Sequence, residues 1–175
     1  MNVTMGVRLL FLGTSGSGKS TVARAAAAKL ALSHTELDAI RHRENWRELP
    51  DEQFRAQVAT VAETDAWVID GNYPIVRNLL IERATQVVWL NPPKRVVMAQ
   101  VIWRSISRAA LRTPLWNGNR EQFRTWLQAD HPIRWAWDTY EPREREFEKL
   151  MTAKWVRLDS RRQIRQWLDT LQTRA

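Results

Sequence analysis

The 175-residue chain contains no cysteine, which excludes a disulfide framework, a thiol nucleophile and any thiolate-held metal. It also lacks an apolar run approaching the roughly 18 residues that span a bilayer. The apolar stretch near its start is only Val7–Leu12, with no small-residue cleavage site behind it. Lysine is scarce, five residues against 22 arginines, and glycine occurs six times in all. No Asn-Lys-x-Asp segment of the kind that reads guanine occurs anywhere, so a regulatory GTPase is not expected. These absences lead to the expectation of a soluble cytoplasmic protein, monomer or homodimer, with no membrane partner.

What remains suits a compact, phosphate-handling fold. Hydrophobic residues make up 44% of the chain, ten tryptophans among them, enough for one core spanning 1–175 as a single domain. The net charge is +8, carried mostly by arginine, whose planar fork holds phosphate in bidentate fashion. The excess is concentrated: between Lys94 and Arg124 stand seven basic residues and one acid, Glu121. Such a focused field raises the local concentration of an anionic ligand.

Three of the six glycines fall in Gly13-Thr14-Ser15-Gly16-Ser17-Gly18-Lys19-Ser20, which satisfies G-x-x-x-x-G-K-[ST]. The apolar run Val7–Leu12 before it has strand length, and the Ala-rich stretch Thr21–Leu32 after it favours helix. In that setting backbone N–H groups turn inward to cradle a phosphate, and the helix aims its positive end at the same point. Gly13, Ser15, Gly16, Ser17, Gly18, Lys19, Ser20 and Thr21 are therefore the expected nucleotide-binding residues. Lys19 reaches the β- and γ-phosphates in this reading, and the Ser20 hydroxyl ligates Mg²⁺.

Beyond the loop, short apolar strands alternate with helical stretches. Strands are expected at His34–Asp38, Ala66–Asp70, Gln86–Leu90 and Lys154–Leu158. Helices are expected at Asp51–Thr64, capped by Asp51, at Lys94–Arg112, Glu121–Gln128, Trp135–Met151 and Arg161–Leu171. This alternation predicts an α/β fold, a five-stranded parallel sheet between helical layers, with its site at the carboxyl ends of the strands. Residues 94–130 are expected to form a helical lid.

Asp70 closes the apolar Ala-Trp-Val-Ile-Asp strand and is the candidate carboxylate for the metal, opposite Ser20. Asp38 is a candidate to orient the phosphoryl acceptor or to take its proton. Arg41 and Arg77 are candidates to clamp an acceptor phosphate, and Trp46 to wall its pocket. Arg104, Arg108 and Arg112 recur every four residues, a spacing that lines one helix face with charge for the transferring phosphoryl group; Arg120 follows them. Of the tryptophans, Trp67 and Trp89 read as core, and Trp103 and Trp167 as buried faces of helices. Trp135 and Trp137 stay open between packing and exposure. His34, His42 and His131 look too scattered for a metal site.

With these residues in hand, the chain resembles the adenylate-kinase-like branch of P-loop kinases. It is most similar to the small proteins labelled DNA topology modulation proteins. The likeness runs roughly from Val7 to Leu168 and rests on Gly13–Thr21, Leu37-Asp38, Asn45-Trp46, Trp67-Val-Ile-Asp-Gly-Asn-Tyr73, Val88-Trp-Leu90 and Leu115-Trp-Asn-Gly-Asn119. It implies a P-loop NTPase fold, ATP and Mg²⁺ as cofactors and an arginine-bearing lid. The chain departs from adenylate kinases at Thr35-Glu-Leu-Asp-Ala-Ile-Arg41 and Asn72-Tyr73-Pro74, the segments that recognise the acceptor AMP there, and Asn91 stands where an Asp is expected. The expected activity is ATP-dependent phosphotransfer to an acceptor that is a nucleotide, nucleoside or other small molecule. The alternatives are a nucleotide-gated DNA- or RNA-binding protein and a polynucleotide 5′-kinase, with nucleic acid the less favoured partner.

Overall fold

The computed structural model describes residues 6–111, Asn117 and 132–171. Its five strands form one parallel sheet in the order β2-β3-β1-β4-β5. They are β1 (Arg8–Leu12), β2 (His34–Glu36), β3 (Trp67–Asp70), β4 (Gln86–Leu90) and β5 (Trp155–Leu158). A parallel sheet has both faces covered, so its central strands β1, β3 and β4 are mostly apolar and buried, and β1 sorts its side chains by parity. Leu10 and Leu12 point into one core, with Phe54 and Val58 of α3 (Asp51–Ala62), Val76 and Leu80 of α4 (Pro74–Arg83) and Phe147 of α6 (Pro132–Leu150). Leu9 and Phe11 point into the other, with Val22, Ala26 and Leu30 of α1 (Lys19–Leu30) and Trp167 of α7 (Arg161–Thr170). This is the expected three-layer architecture.

A third, smaller cluster joins α5 (Lys94–Leu111) to α6 through Val97, Val101, Ala136 and Tyr140. Lys94 reinforces it, bonding Glu141 at 2.7 Å with its ammonium 3.8 Å from the Trp137 ring centroid. Among the described residues no helix is long and apolar enough to cross a membrane.

Several boundaries differ from expectation, each for a local reason. β2 ends at Glu36, and Asp38 opens the short helix α2 (Leu37–Arg41) instead of closing the strand. Pro50, not Asp51, caps α3; Asp51 is the first helical residue, and its carboxylate serves Arg41. The helix α4 has no counterpart in the sequence reading, although Pro74 at its first position is a start signal. α6 begins at Pro132 and continues through Pro142. Trp167 is buried, as are Trp67 and Trp89, but Trp103 is 72% exposed. α5 buries Val97, Val101 and Ser105, a stripe at i, i+4 and i+8 that turns Trp103 away. The expected helix Glu121–Gln128 lies outside the described residues.

Candidate active site

The glycine-rich loop spans the gap between β1 and α1, as its sequence requires. Gly18, with φ at +89°, is the residue before the first turn of α1, whose leading N–H groups have no intrahelical acceptor. Thr14 and Ser17 are buried, and the Ser17 hydroxyl is buried without a hydrogen-bond partner among the described residues. Lys19 is half-buried and makes no hydrogen bond or ion pair with another described residue. A loop that combines unmatched helix-start N–H donors, an unmatched hydroxyl and an ammonium fits a polyanion.

Asp70 stands beside this loop because β3 lies next to β1, with Asp70 in register with Phe11. The Ser20 hydroxyl donates to Asp70 Oδ1 at 2.8 Å. This pairs the two predicted metal residues directly, and an oxygen donor set of that kind suits Mg²⁺. His34 Nε2 lies 2.6 Å from Asp70 Oδ2, so the buried carboxylate is held at both oxygens. With Glu36, these residues bring their ligating atoms within 4.8 Å of one another. Glu36 also pairs with Arg24 of α1 at 2.8 Å.

The contact of His34 with Asp70 goes beyond the sequence reading, which gives this histidine no partner. No spacing rule identifies it, because the contact arises from β2 pairing with β3, which sets Glu36 opposite Asp70.

From α5, Arg104 donates to the Ser15 hydroxyl at 2.9 Å, which brings the first arginine of the predicted row onto the loop. The side chain of Arg108, and all of Arg112 and Arg120, lie outside the described residues.

The predicted acceptor residues divide into two kinds. Asp38 is half-buried and accepts a hydrogen bond from the Tyr73 hydroxyl at 2.6 Å. Trp46, in a short 3₁₀ turn (Glu44–Trp46), sets its ring edge-on to His42 at 5.6 Å, next to that pair. Arg41 is a brace: Nε and Nη2 bond Glu48, and Nη1 bonds Asp51 at 2.7 Å and the Leu49 carbonyl at 2.9 Å. Burial opposes its charge, but the hydrogen bonds to Asp51 and Glu48 outweigh that and raise its pKa above the ordinary value. Arg77 is likewise engaged, forked onto Glu146 of α6 and bonded to Asn72 at 3.3 Å. All three of Arg41's nitrogens are committed, and Arg77 ties α4 to α6.

Arg143 escaped the sequence reading. Burial depresses its pKa, and its nearest charges are Glu146, Arg77 and Asp38. Its guanidinium lies 5.4 Å from the Trp135 ring centroid and makes no hydrogen bond with another described residue. An arginine in a segment dense with charge, Glu141 to Lys149, gives no sequence signal of its own.

No protein-family model matches the sequence, and no curated protein matches it. The fold does match solved structures. A shikimate kinase from Bacteroides thetaiotaomicron aligns with a TM-score of 0.61 and 18% identity, over 93% of this chain and 94% of that one. A shikimate kinase from Acinetobacter baumannii, in complex with shikimate, aligns at 0.60 and 18%, over 93% and 89%. A gluconokinase from Sinorhizobium meliloti aligns at 0.56 and 20%, over 94% and 93%. The chain therefore has the fold of small-molecule P-loop kinases. The narrower resemblance to DNA topology modulation proteins gains no support from these matches.

Proposed function

We propose that this protein is a MgATP-dependent phosphotransferase that moves the γ-phosphoryl group onto a hydroxyl of a small molecule. The observation that carries this reading is the Ser20–Asp70 pair beside a loop whose Ser15 is already met by Arg104. The loop backbone and Lys19 bind the triphosphate, and Arg104 adds positive charge where it is transferred. Bound Mg²⁺, held by Ser20 with Asp70 beside it, would neutralise charge on the phosphate oxygens. Residues 94–130, with Arg104, Arg108 and Arg112, act in this reading as the lid that excludes water.

Asp38 favours an alcohol over a phosphate as the acceptor, because a carboxylate repels a second phosphate and attracts a hydroxyl proton. Arg143, close enough to Asp38 to feel its charge, suits an anionic group on the same molecule. The test is transfer of labelled γ-phosphate from MgATP to a panel of sugars, hydroxy acids, nucleosides, nucleoside monophosphates and 5′-hydroxyl oligonucleotides. Transfer to a hydroxy acid or sugar, lost in Asp38→Asn, is the expected result. Transfer confined to nucleoside monophosphates and untouched by Asp38→Asn would overturn the alcohol assignment. Transfer to oligonucleotides alone would favour the polynucleotide kinase.

Removing His34 is expected to loosen Asp70 without touching the loop. Partners of metal-site residues are typically worth about 10–100-fold in metal affinity, so His34→Ala is expected to weaken Mg²⁺-supported ADP binding about tenfold. Calorimetric titration with ADP in Mg²⁺ and in EDTA separates the cases, since metal-free binding is expected to stay nearly constant. An equal loss in both would assign His34 to the fold instead.

A further inference from the structure

We propose that Tyr73 is the positioning residue for Asp38, reserving one carboxylate oxygen for the acceptor's hydroxyl; this rests on the phosphotransferase reading above. Tyr73 stands three residues beyond Asp70, at the cap of α4, so the strand that carries the metal carboxylate also places this phenol. Gly71 makes the approach possible. Its φ is +144°, and an added Cβ would lie 2.6 Å from Leu37 Cβ, so only glycine lets the start of α2 settle onto the end of β3. Asp38 follows Leu37 directly and thereby comes within reach.

The contact has the marks of a directed hydrogen bond. Tyr73 donates to Asp38 Oδ1 at 2.6 Å, with His42 Nε2 3.3 Å from the same hydroxyl. The ring is fixed edge-on against Phe54, centroids 5.1 Å apart. Burial, then the Asp38 charge, push the phenol pKa far above the ordinary tyrosine value, so the hydroxyl remains a donor throughout the working range. The Asn117 side-chain amide donates to the His42 carbonyl, which ties residue 117 to the end of α2. Asp38 Oδ2 makes no hydrogen bond with another described residue.

The division of labour follows. Oδ1 is spent on Tyr73, which fixes the plane of the carboxylate, and Oδ2 accepts the acceptor's O–H. In the transfer the acceptor oxygen forms a bond to the γ-phosphorus as the β–γ bridging P–O bond breaks. ADP leaves with that electron pair, and the hydroxyl proton passes to Asp38 Oδ2. Tyr73 keeps its proton throughout and acts only by orienting the base.

Tyr73→Phe tests this cleanly, because it keeps the ring against Phe54 and removes only the hydroxyl. Single-turnover hydrolysis of MgATP, with water as the acceptor, is measured for wild type, Tyr73→Phe, Asp38→Asn and the double variant. Tyr73→Phe is expected to slow the single turnover about tenfold with little change in the enzyme concentration that half-saturates the rate, and Asp38→Asn to slow it about 10²-fold. The double variant is expected to be no slower than Asp38→Asn, since the hydroxyl acts only through the carboxylate. Full activity in Tyr73→Phe, or losses that multiply in the double variant, would overturn the proposal. Independently of turnover, the Tyr73 hydroxyl proton is expected as a protected downfield proton resonance, absent from both single variants. Its absence from wild type would overturn the pairing. Hydrolysis no faster in wild type than in Lys19→Ala would instead count against the phosphotransferase reading.

Discussion

Lys19→Ala is expected to lose at least roughly 10²–10³-fold in MgATP turnover, the range for removing one hydrogen-bond donor from a developing transition-state anion. The physical reason is that phosphoryl transfer leaves the protein little covalent chemistry to do. Rate comes from fixed positive charge around oxygens whose charge redistributes as the bond breaks. Lys19 is half-buried with no acid paired to it among the described residues, so its charge is available to the ligand. The Ser20–Asp70 pair at 2.8 Å and Arg104 on Ser15 remain in the variant, which is why residual activity is expected. Because Lys19 braces no other described residue, the thermal midpoint should barely move. A Lys19→Ala protein that folds and turns over normally would remove the basis of the assignment. A variant that loses both fold and activity would be uninformative alone; Lys19→Arg, which keeps the charge but not its point geometry, then separates the two.

The parts of this site that were legible in the sequence are those whose chemistry is local. Gly13 to Ser20 carries its own strand, turn and helix signals, and the structure forms the loop where those signals fall. Asp70 was legible because an apolar strand ending in a carboxylate is also a local pattern. What the sequence withheld is pairing across distance. Arg41 and Arg77 look like free cations in one dimension, and only the fold reveals Glu48, Asp51 and Glu146 already on them. His34 meets Asp70 through the order of strands, which composition does not encode. Trp103 is exposed although its spacing predicts burial, because α5 is apolar on more than one face and periodicity alone does not say which face is covered. The short helix α2 hid behind β2, since five residues cannot express a helical period.

The second large effect is expected at Gly16, where the loop meets α5. Its φ is +83°, and a Cβ there would stand 2.1 Å from Val101 Cγ2 and 3.0 Å from the Val97 carbonyl oxygen. Two costs therefore add in Gly16→Ala. The left-handed backbone costs a non-glycine residue about 1–2 kcal/mol, and forcing a methyl into packed surroundings costs about 1–3 kcal/mol. A loss of about 2–5 kcal/mol in urea unfolding is the expected result, together with weaker ADP binding as the loop or α5 yields. The two components separate by a cycle. Val101→Ala removes the methyl that Gly16→Ala would strike, so Gly16→Ala should cost at least about 1 kcal/mol less in that background. The backbone strain and the Val97 carbonyl remain, so recovery should be partial. Equal costs in the two backgrounds would mean that α5 does not lie on the loop. That would also withdraw the placement of Arg104, which reaches Ser15 from one turn further along the same helix.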